Sequence, residues 1–261
     1  MRRSRERRAI VARVAKVRID QLLVTRALAP SRARAQAVVL AGEVFVGGTR
    51  VDKAGTLVDP DCAVEVRAPD HPYVSRGGVK LGGALDVFSL DVTGLRCIDL
   101  GASTGGFTDC LLQRGAACVV AVDVGYGQLA HKLRIDPRVV VMERTNARAL
   151  DAGAVGGAAD LTVVDASFIG VSKLLPAVVR CTRAGGHLVA LVKPQFEVGR
   201  EQASRGKGVV RDEAVRADAI DAVTRDIADA GCDVIGRCDS VLSGPKGNRE
   251  TFVHARLGRR T

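Results

Sequence analysis

Asp99-Leu-Gly-Ala-Ser-Thr-Gly-Gly-Phe107 follows a short apolar run and places three glycines in one turn. In an open parallel sheet, ligands bind where a strand ends and its helix begins. Glycine lets the backbone approach a ligand closely, and the hydroxyls of Ser103 and Thr104 add hydrogen-bonding groups. We therefore predict a cofactor site at this turn, although a purely structural role of the glycines stays open. Its candidate residues are Asp99, Gly101, Ala102, Ser103, Thr104, Gly105, Gly106 and Phe107.

Short apolar runs recur from about residue 95 onward, separated by helical segments. They cover residues 96–100, 118–123, 139–142, 161–165 and 187–193. Strands that are apolar throughout indicate a sheet covered on both faces, and helices between strands favour parallel crossover connections. A polar helix near 211–230 and two closing strands near 233–237 and 251–255 complete the pattern. The predicted fold class is α/β, a doubly wound Rossmann-like sheet with a small N-terminal α+β domain.

The cofactor class is indicated by which glycine motifs are missing. A dinucleotide site requires G-x-G-x-x-G, but Ser103 stands at the second glycine position, and the Gly-Lys-Ser/Thr of a P-loop is missing from the turn. Asp123 ends the second apolar run, where an acidic side chain accepts hydrogen bonds from a cofactor ribose, and Val124 follows it. This arrangement resembles the S-adenosyl-L-methionine sites of α/β methyltransferases.

Positive charge is concentrated at the N-terminus. Residues 1–60 carry 13 Lys/Arg against 5 Asp/Glu, a net charge of +8, whereas residues 61–261 carry 26 against 24, a net charge of +2. Because contacts to phosphate give affinity that does not depend on base sequence, this asymmetry favours a polyanion-binding module attached to a nearly neutral body. An effect on solubility alone is the alternative.

The N-terminal pattern predicts two short helices and a hairpin. Apolar residues at helical spacing indicate a helix over about 18–28, Ser31 can cap a second helix, and Gly42 suits its exit. Gly47-Gly48 predicts the turn of a hairpin. This pattern resembles the S4-like RNA-binding fold over residues 16–66. The resemblance implies that the RNA-facing residues are Lys16, Arg18, Arg32 and Lys53.

The predicted domains follow from these patterns. Residues 1–15 form a basic flexible arm, 16–66 the S4-like domain, 67–75 a linker with two prolines, and 76–261 the methyltransferase domain.

Other kinds of site are disfavoured. No apolar stretch reaches the ~18 residues of a spanning helix, and no apolar signal segment follows the basic N-terminus. The seven cysteines include no CxxC pair and no neighbouring histidine pattern. We therefore expect a cytoplasmic protein with no membrane partner and no metal, while the oligomeric state stays open.

Four charged residues lie at or near the ends of predicted elements: Lys80, Asp165, Lys193 and Glu250. Burying such charges is costly unless they are paired. Two lysines and two carboxylates compensate one another if the fold brings them together, which predicts a charged cluster at one edge of the sheet. Four independent surface charges are the alternative.

As a set, these motifs resemble the TlyA family, whose members are described as hemolysins and as ribosomal RNA 2′-O-methyltransferases, and more distantly the FtsJ-type RNA methyltransferases. The resemblance runs over nearly all of residues 16–257. It rests on Ser75-Arg-Gly, Lys80-Leu, Asp99 to Phe107, Asp123-Val-Gly-Tyr-Gly-Gln128, Glu143-Arg-Thr-Asn146, Asp165-Ala-Ser-Phe168, Val192-Lys-Pro-Gln-Phe-Glu197 and Gly247-Asn-Arg-Glu250. It implies 2′-O-methylation of a cytidine in ribosomal RNA, with S-adenosyl-L-methionine as cofactor and a ribosomal subunit as partner.

The resemblance also implies residue roles. The family's catalytic tetrad falls on the four charged residues named above, Asp165 also reaches the methionine amino group, and Asn146 contacts adenine. We expect Lys193 to remove the hydroxyl proton and Lys80 to stabilise the developing alkoxide. The chain ends at Thr261, without the longer C-terminal helix of relatives that modify both subunits, which favours a large-subunit substrate. A membrane-lytic protein and an RNA-binding protein without catalysis are the alternatives.

Overall fold

The computed structural model describes residues 15–67, 71–167, 169–198, 209–244 and 247–258. The chain divides into two compact units, Met1–Arg67 and Ala68–Thr261. Apart from residue 15, the predicted basic arm lies outside the described residues, and so do 68–70 of the predicted linker. The domain limits 16–66, 67–75 and 76–261 therefore stay predictions.

The N-terminal unit contains the predicted helices and hairpin. Its helices are α1 (Ile19–Thr25) and α2 (Arg32–Ala41), and its strands are β1 (Val17–Arg18), β2 (Val44–Val46), β3 (Thr49–Val51), β4 (Leu57–Val58) and β5 (Val64–Val66). The Ser31 hydroxyl accepts a hydrogen bond from Arg34 N at 3.2 Å, and Gly42 ends α2 with φ +79°. The hairpin pairs β2 with β3, and β5 joins the other side of β2. Both predicted helix signals are confirmed, although α1 ends earlier than expected.

The second unit is built on a seven-stranded sheet. Its strands are β6 (Arg96–Leu100), β7 (Cys118–Val122), β8 (Val139–Met142), β9 (Ala159–Val164), β10 (Thr182–Val192), β11 (Cys232–Asp239) and β12 (Thr251–Leu257). Its helices are α3 (Arg76–Val87), α4 (Gly106–Gln113), α5 (His131–Arg134), α6 (Leu175–Cys181), α7 (Pro194–Glu197) and α8 (Glu213–Asp229), with 3-10 turns at Ala147–Ala149 and Val171–Lys173.

The order of the strands determines where a ligand can bind. The order is β11-β12-β10-β9-β6-β7-β8, with β6 to β10 parallel and with β11 and β12 antiparallel to their neighbours. After β6 the chain first builds outward through β7 and β8, and then returns to the other side of β6 with β9. Such a reversal of strand order opens a crevice at the carboxyl ends of the strands. The α/β fold class is confirmed.

Two apolar clusters cover the two faces of this sheet. One includes Val253 and Ala255 of β12 and the apolar side of α8; the other includes Phe252 of the same strand and the apolar sides of α3 and α4. Because neighbouring residues of a strand point to opposite faces, β12 contributes to both clusters.

Helix α3 was not among the predicted elements. Gly77, Gly78, Gly82 and Gly83 lie within it, and glycine has a low helix propensity. The glycines are explained by packing: a Cβ at Gly78 would overlap the ring of Tyr73, and one at Gly82 would lie 3.3 Å from its hydroxyl. Tertiary contacts therefore stabilise a helix that the local sequence disfavours.

One carboxylate organises the polar side of the N-terminal unit. Asp20 is fully buried and receives two hydrogen bonds of 2.9 Å from Arg18, one of 3.1 Å from Arg32 and one of 3.0 Å from Gln36. The Arg18 guanidinium, helped by Gln36 and Arg32, holds the pKa of Asp20 far below its usual value although burial opposes this. The carboxylate thus ties the start of α1 to the first turns of α2.

Replacing this carboxylate should weaken the N-terminal unit. We expect Asp20→Ala to reduce the stability of α1 and α2 by about 2–3 kcal/mol, because the buried charge has several hydrogen-bond partners that lose their acceptor. The loss is not larger because both arginines reach solvent and stay hydrated. Because the pKa is lowered in the folded protein, the stabilisation is present above the unfolded value of about 3.9 and is lost as pH falls below it. Hydrogen exchange of peptides from α1 and α2, measured at pH 7 and below pH 4, tests both effects.

Glu65→Ala is the matched control, because its 2.6 Å ion pair with Arg67 is exposed. Exposed pairs contribute about 0–1 kcal/mol. Equal loss of protection in the two variants would show that the Asp20 contacts do not stabilise the unit.

Candidate active site

Five predicted site residues lie at one edge of the large sheet. Gly101, Asp123, Asp165 and Lys193 each follow directly on a parallel strand, namely β6, β7, β9 and β10. Glu250 immediately precedes β12, and because β12 runs antiparallel to β10, its start lies at the same edge. The sheet therefore brings together residues that are up to about 150 positions apart in the sequence.

The two lysines of the predicted tetrad form ion pairs with its two carboxylates. Lys80 Nζ lies 2.5 Å from Glu250 Oε2, and Lys193 Nζ lies 2.6 Å from Asp165 Oδ1. Lys80 and Lys193 are each only 8% exposed, and Glu250 is 1% exposed. Burial on this scale requires opposite charges in contact, so the alternative of four independent surface charges is wrong.

The two ion pairs also act on each other. Burial alone would raise the pKa of Asp165, but the positive charge of Lys193, and then that of Lys80, holds the pKa below its usual value. Lys80 thus acts on Asp165 although its hydrogen bond goes to Glu250. The four residues form a single charged cluster, while their catalytic roles stay predictions.

Ser167 is a residue of this cluster that the sequence analysis did not single out. Its hydroxyl accepts a hydrogen bond of 3.0 Å from Lys193 Nζ. The sequence signal was its position two residues after Asp165, within a segment that already supported the family resemblance. Lys193 is therefore held by a carboxylate and a hydroxyl. Phe168, the last residue of that segment, lies outside the described residues.

The glycine turn lies directly against the end of β9. Gly101 has φ +92°, and a Cβ there would lie 2.7 Å from the carbonyl oxygen of Asp165. Gly101 N and Ala102 N both donate to Val122 O, at 2.9 and 3.1 Å. Ser103 has φ +48°, and its backbone N donates to Asp123 Oδ2 at 2.8 Å. Glycine is required at position 101 because any side chain would separate the turn from the strand that precedes Asp165.

Part of the predicted cofactor segment is buried beneath the turn. Asp99 is fully buried, its Oδ2 accepts hydrogen bonds from Thr108 N and Thr108 Oγ1 at 3.0 and 2.7 Å, and burial raises its pKa to about 7. Asp99 thereby fixes the first turn of α4. The residues that are buried alongside it are Ala102, Thr104, Gly105, Gly106 and Phe107. Gly101 and Ser103 are the residues of the turn that reach the surface.

The second predicted acid has an exposed apolar neighbour. Asp123 Oδ1 accepts a hydrogen bond of 2.6 Å from Gly125 N, and Asp123 O accepts one of 2.9 Å from Thr145 N. That second bond brings Asn146, which is exposed, beside Asp123 and Val124, and Val124 is 74% exposed. Asn146 Oδ1 also accepts a hydrogen bond from Arg148 N at 3.1 Å. A carboxylate, an exposed apolar side chain and an amide thus belong to two segments that are joined by a backbone hydrogen bond, and these are kinds of group that bind a nucleoside.

The candidate RNA-binding residues lie on the N-terminal unit. Arg18 and Arg32 share the carboxylate of Asp20, whereas Lys16 and Lys53 are exposed. Holding two guanidinium groups on one buried carboxylate limits their freedom and fixes their spacing. Their contact with RNA stays a prediction.

A metal site and a membrane-spanning helix are two further features to consider in the described residues. Within those ranges, no three His, Cys, Asp or Glu side chains are grouped so that they could hold a metal ion. No helix in the described part of the chain has the length and apolar character needed to span a membrane.

Comparison with known proteins agrees with this geometry. A family model described as FtsJ-like methyltransferase matches residues 73–257, and an S4 domain model matches residues 17–61. The 16S/23S rRNA (cytidine-2′-O)-methyltransferase TlyA of Mycobacterium tuberculosis is 50% identical over 92% of this chain and 90% of its own length. The 23S rRNA (cytidine-2′-O)-methyltransferase TlyA of Campylobacter jejuni is 32% identical over 70% of each chain.

A solved structure resembles most of this chain. It is of a Streptococcus thermophilus protein that carries a provisional hemolysin name, with a TM-score of 0.72 and 41% identity over 94% of this chain and 90% of that one. The family that the motifs predicted is confirmed: this chain belongs to the FtsJ-like methyltransferases, among the TlyA proteins.

Proposed function

We propose that this protein transfers a methyl group from S-adenosyl-L-methionine to the 2′-hydroxyl of a cytidine in ribosomal RNA. The observation that carries the proposal is that the Lys80–Glu250 and Lys193–Asp165 ion pairs lie at the edge of the sheet where the order of the strands reverses. Two ammonium groups at a ligand crevice suit a reaction in which a hydroxyl becomes an alkoxide.

The residues around Asp123 fit the cofactor. The Asp123 carboxylate keeps lone pairs for the ribose hydroxyls, exposed Val124 offers an apolar surface to the adenine, and Asn146 offers an amide beside it. Because Gly101 has no side chain, the turn approaches Asp165 O closely and carries no side-chain bulk at this point. We propose that Asp165 also receives the amino group of the methionine part, because it is the most exposed carboxylate of the cluster.

The catalytic steps follow from the pairing of the lysines. The bound cofactor supplies an electrophilic methyl group, so the protein has to align the ribose hydroxyl and accept its proton. Lys193 has to release its own proton to solvent before it can accept the proton of the ribose hydroxyl, and Asp165 then stabilises the ammonium group that results. Lys80, held by Glu250, places a second positive charge near the oxygen that loses the proton.

The substrate is proposed from the relatives and from the N-terminal unit. Both curated relatives named above methylate cytidine at the 2′-oxygen, and 23S rRNA is the substrate that their names share. We therefore propose the large-subunit RNA as substrate, with the S4 domain binding it through Lys16, Arg18, Arg32 and Lys53. A ribosomal substrate also implies that the protein acts in the cytoplasm.

Lys193→Ala tests the assignment of the proton acceptor. We expect the rate of methyl transfer to fall by about 10²- to 10⁴-fold, because general base catalysis contributes about that much. Binding of S-adenosyl-L-methionine should change little. Transfer of labelled methyl groups to separate large and small ribosomal subunits, followed by mapping of the modified ribose, measures both the rate and the substrate.

Lys173→Ala is the matched control, because Lys173 is an exposed lysine of the same unit. Normal turnover by Lys193→Ala would remove this lysine from the mechanism. Binding of cofactor and RNA by the wild-type protein without methyl transfer would instead identify it as a binding protein, and release of dye from liposomes would identify a lytic activity.

Gly101→Ala tests the position of the cofactor site. The new Cβ meets the carbonyl of Asp165 at 2.7 Å, and φ is +92°, so the turn has to move away from β9. We expect the dissociation constant for S-adenosyl-L-methionine to rise about tenfold or more, equal to about 1.4 kcal/mol. Isothermal titration calorimetry measures it directly.

Gly94→Ala separates backbone strain from steric contact. Gly94 has φ +73°, but a Cβ there meets nothing within 4 Å. We expect this control to lose stability and keep its affinity for the cofactor. If both variants bind as the wild type does, the turn at Gly101 is not the cofactor site.

A further inference from the structure

Glu250 lies immediately before β12, and its backbone is bonded to the end of the neighbouring strand β11. Its carbonyl oxygen accepts a hydrogen bond of 2.8 Å from Ser240 N, and the next residue, Thr251, pairs with Asp239 across β11 and β12. The side chain has little room, because a Cβ at Gly244 would overlap its carboxylate. A small shift of this backbone would therefore move the carboxylate relative to Lys80.

A buried arginine of α8 holds the residues on both sides of Glu250. Arg216 is 7% exposed, its Nε donates to the carbonyl oxygen of Arg249 at 3.4 Å, and its Nη2 donates to Thr251 Oγ1 at 2.6 Å. The same Nη2 also donates to Asp239. One guanidinium thus binds the residue before Glu250, the residue after it and the strand that is paired with them.

Further ion pairs hold this guanidinium in place. Arg216 Nη1 donates to Glu213 Oε1 at 2.7 Å, and Arg249 donates to Glu213 Oε2 at 3.0 Å and to Asp239 Oδ2 at 2.9 Å. Thr251 Oγ1 donates to Asp239 Oδ1 at 2.8 Å. We call these five residues the Arg216 cluster: Glu213, Arg216, Asp239, Arg249 and Thr251. Burial alone would raise the pKa of Asp239. Hydrogen bonds from Thr251 and the two arginines, with the positive charge of Arg216, hold that pKa below its usual value.

The Arg216 cluster and the catalytic cluster lie on opposite faces of the sheet. Val253 packs in the apolar cluster of α8, whereas Phe252 packs in that of α3, the helix that carries Lys80. By the alternation of side chains along a strand, Thr251 shares the α8 face and Glu250 shares the α3 face. The backbone of residues 249–251 is therefore the physical link between the two clusters.

We propose that Arg216 is a positioning residue for methyl transfer: it fixes the backbone at residues 249–251 so that Glu250 keeps its contact with Lys80. This inference rests on the proposed function for its kinetic consequence. Arginine suits the task because its planar group donates in several fixed directions at once. Arg216 acts only through Glu250 and touches neither the substrate nor the cofactor in this scheme.

Arg216→Met tests the proposal, because methionine keeps the apolar part of the side chain and removes the donors. We expect kcat for methyl transfer to fall by about 10- to 100-fold, since displacement of a catalytic group by about 1 Å has effects of that size. The dissociation constant for S-adenosyl-L-methionine should stay unchanged, because Asp123 and Gly101 are not displaced. A milder variant, Arg249→Met, alters the cluster at a residue that is 58% exposed on its side chain and should lower kcat less.

Arg237→Met is the matched control. Arg237 also joins β11 to α8, through an ion pair of 2.5 Å with Asp221, but both side chains are about half exposed and neither is bonded to residues 249–251. We expect this control to keep the wild-type kcat. Equal kcat values for Arg216→Met and Arg237→Met, with an active wild-type protein, would overturn the proposal.

A crystal structure of Arg216→Met gives a readout that does not depend on activity. We expect Lys80 Nζ and Glu250 Oε2, which lie 2.5 Å apart in the wild-type protein, to separate beyond hydrogen-bonding distance while the rest of the sheet is unchanged. An intact ion pair would overturn the positioning role even if kcat had fallen. An inactive wild-type protein would overturn the proposed function, and this distance would still decide whether Arg216 positions Glu250.

Discussion

Charge that is removed from water has to be compensated, and this constraint governs the site. Lys80, Lys193 and Glu250 are almost entirely buried, and each contacts a group of opposite charge. Removing one member would leave its partner charged and poorly hydrated, which is more costly than never burying the pair. The same requirement explains Asp20 in the N-terminal unit, where one buried carboxylate is shared by two arginines and a glutamine.

The sheet satisfies this constraint because it gathers strand ends at one edge. A reversal of strand order such as that around β6 is where open α/β sheets form a ligand crevice, and the turn at Gly101 and the ends of β9 and β10 lie at this place. Glu250 arrives from the opposite direction, at the start of an antiparallel strand. Arg216 of α8, on the other face of the sheet, bonds to the residues on both sides of Glu250, which connects the Arg216 cluster to the edge that holds the two ion pairs.

Much of the fold was predictable from local patterns. The strands of the large sheet were predicted from apolar runs, whereas β1, β4 and β5 of the N-terminal unit were not predicted. The second helix was marked at both ends by Ser31 and Gly42. Helix α3 was missed because its glycines are poor helix formers, and close packing against Tyr73, α4 and Val241 accounts for them. Ser167 and Arg216 were missed for a similar reason: a hydroxyl and an arginine carry no signal until the groups that they contact are known in space.

The α/β class could be predicted from the sequence because apolar periodicity and the glycine turn are local properties of the chain. The family and the four charged residues could be predicted because short motifs carry the resemblance. The pairing of these charges, Lys80 with Glu250 and Lys193 with Asp165, and the burial of Asp99 and Phe107 beneath the turn became known only from the folded arrangement. The same is true of the arginine of another helix that bonds to the residues flanking Glu250. Pairing and burial depend on which strand ends and helix faces meet, and residues far apart in sequence meet only after the sheet has formed.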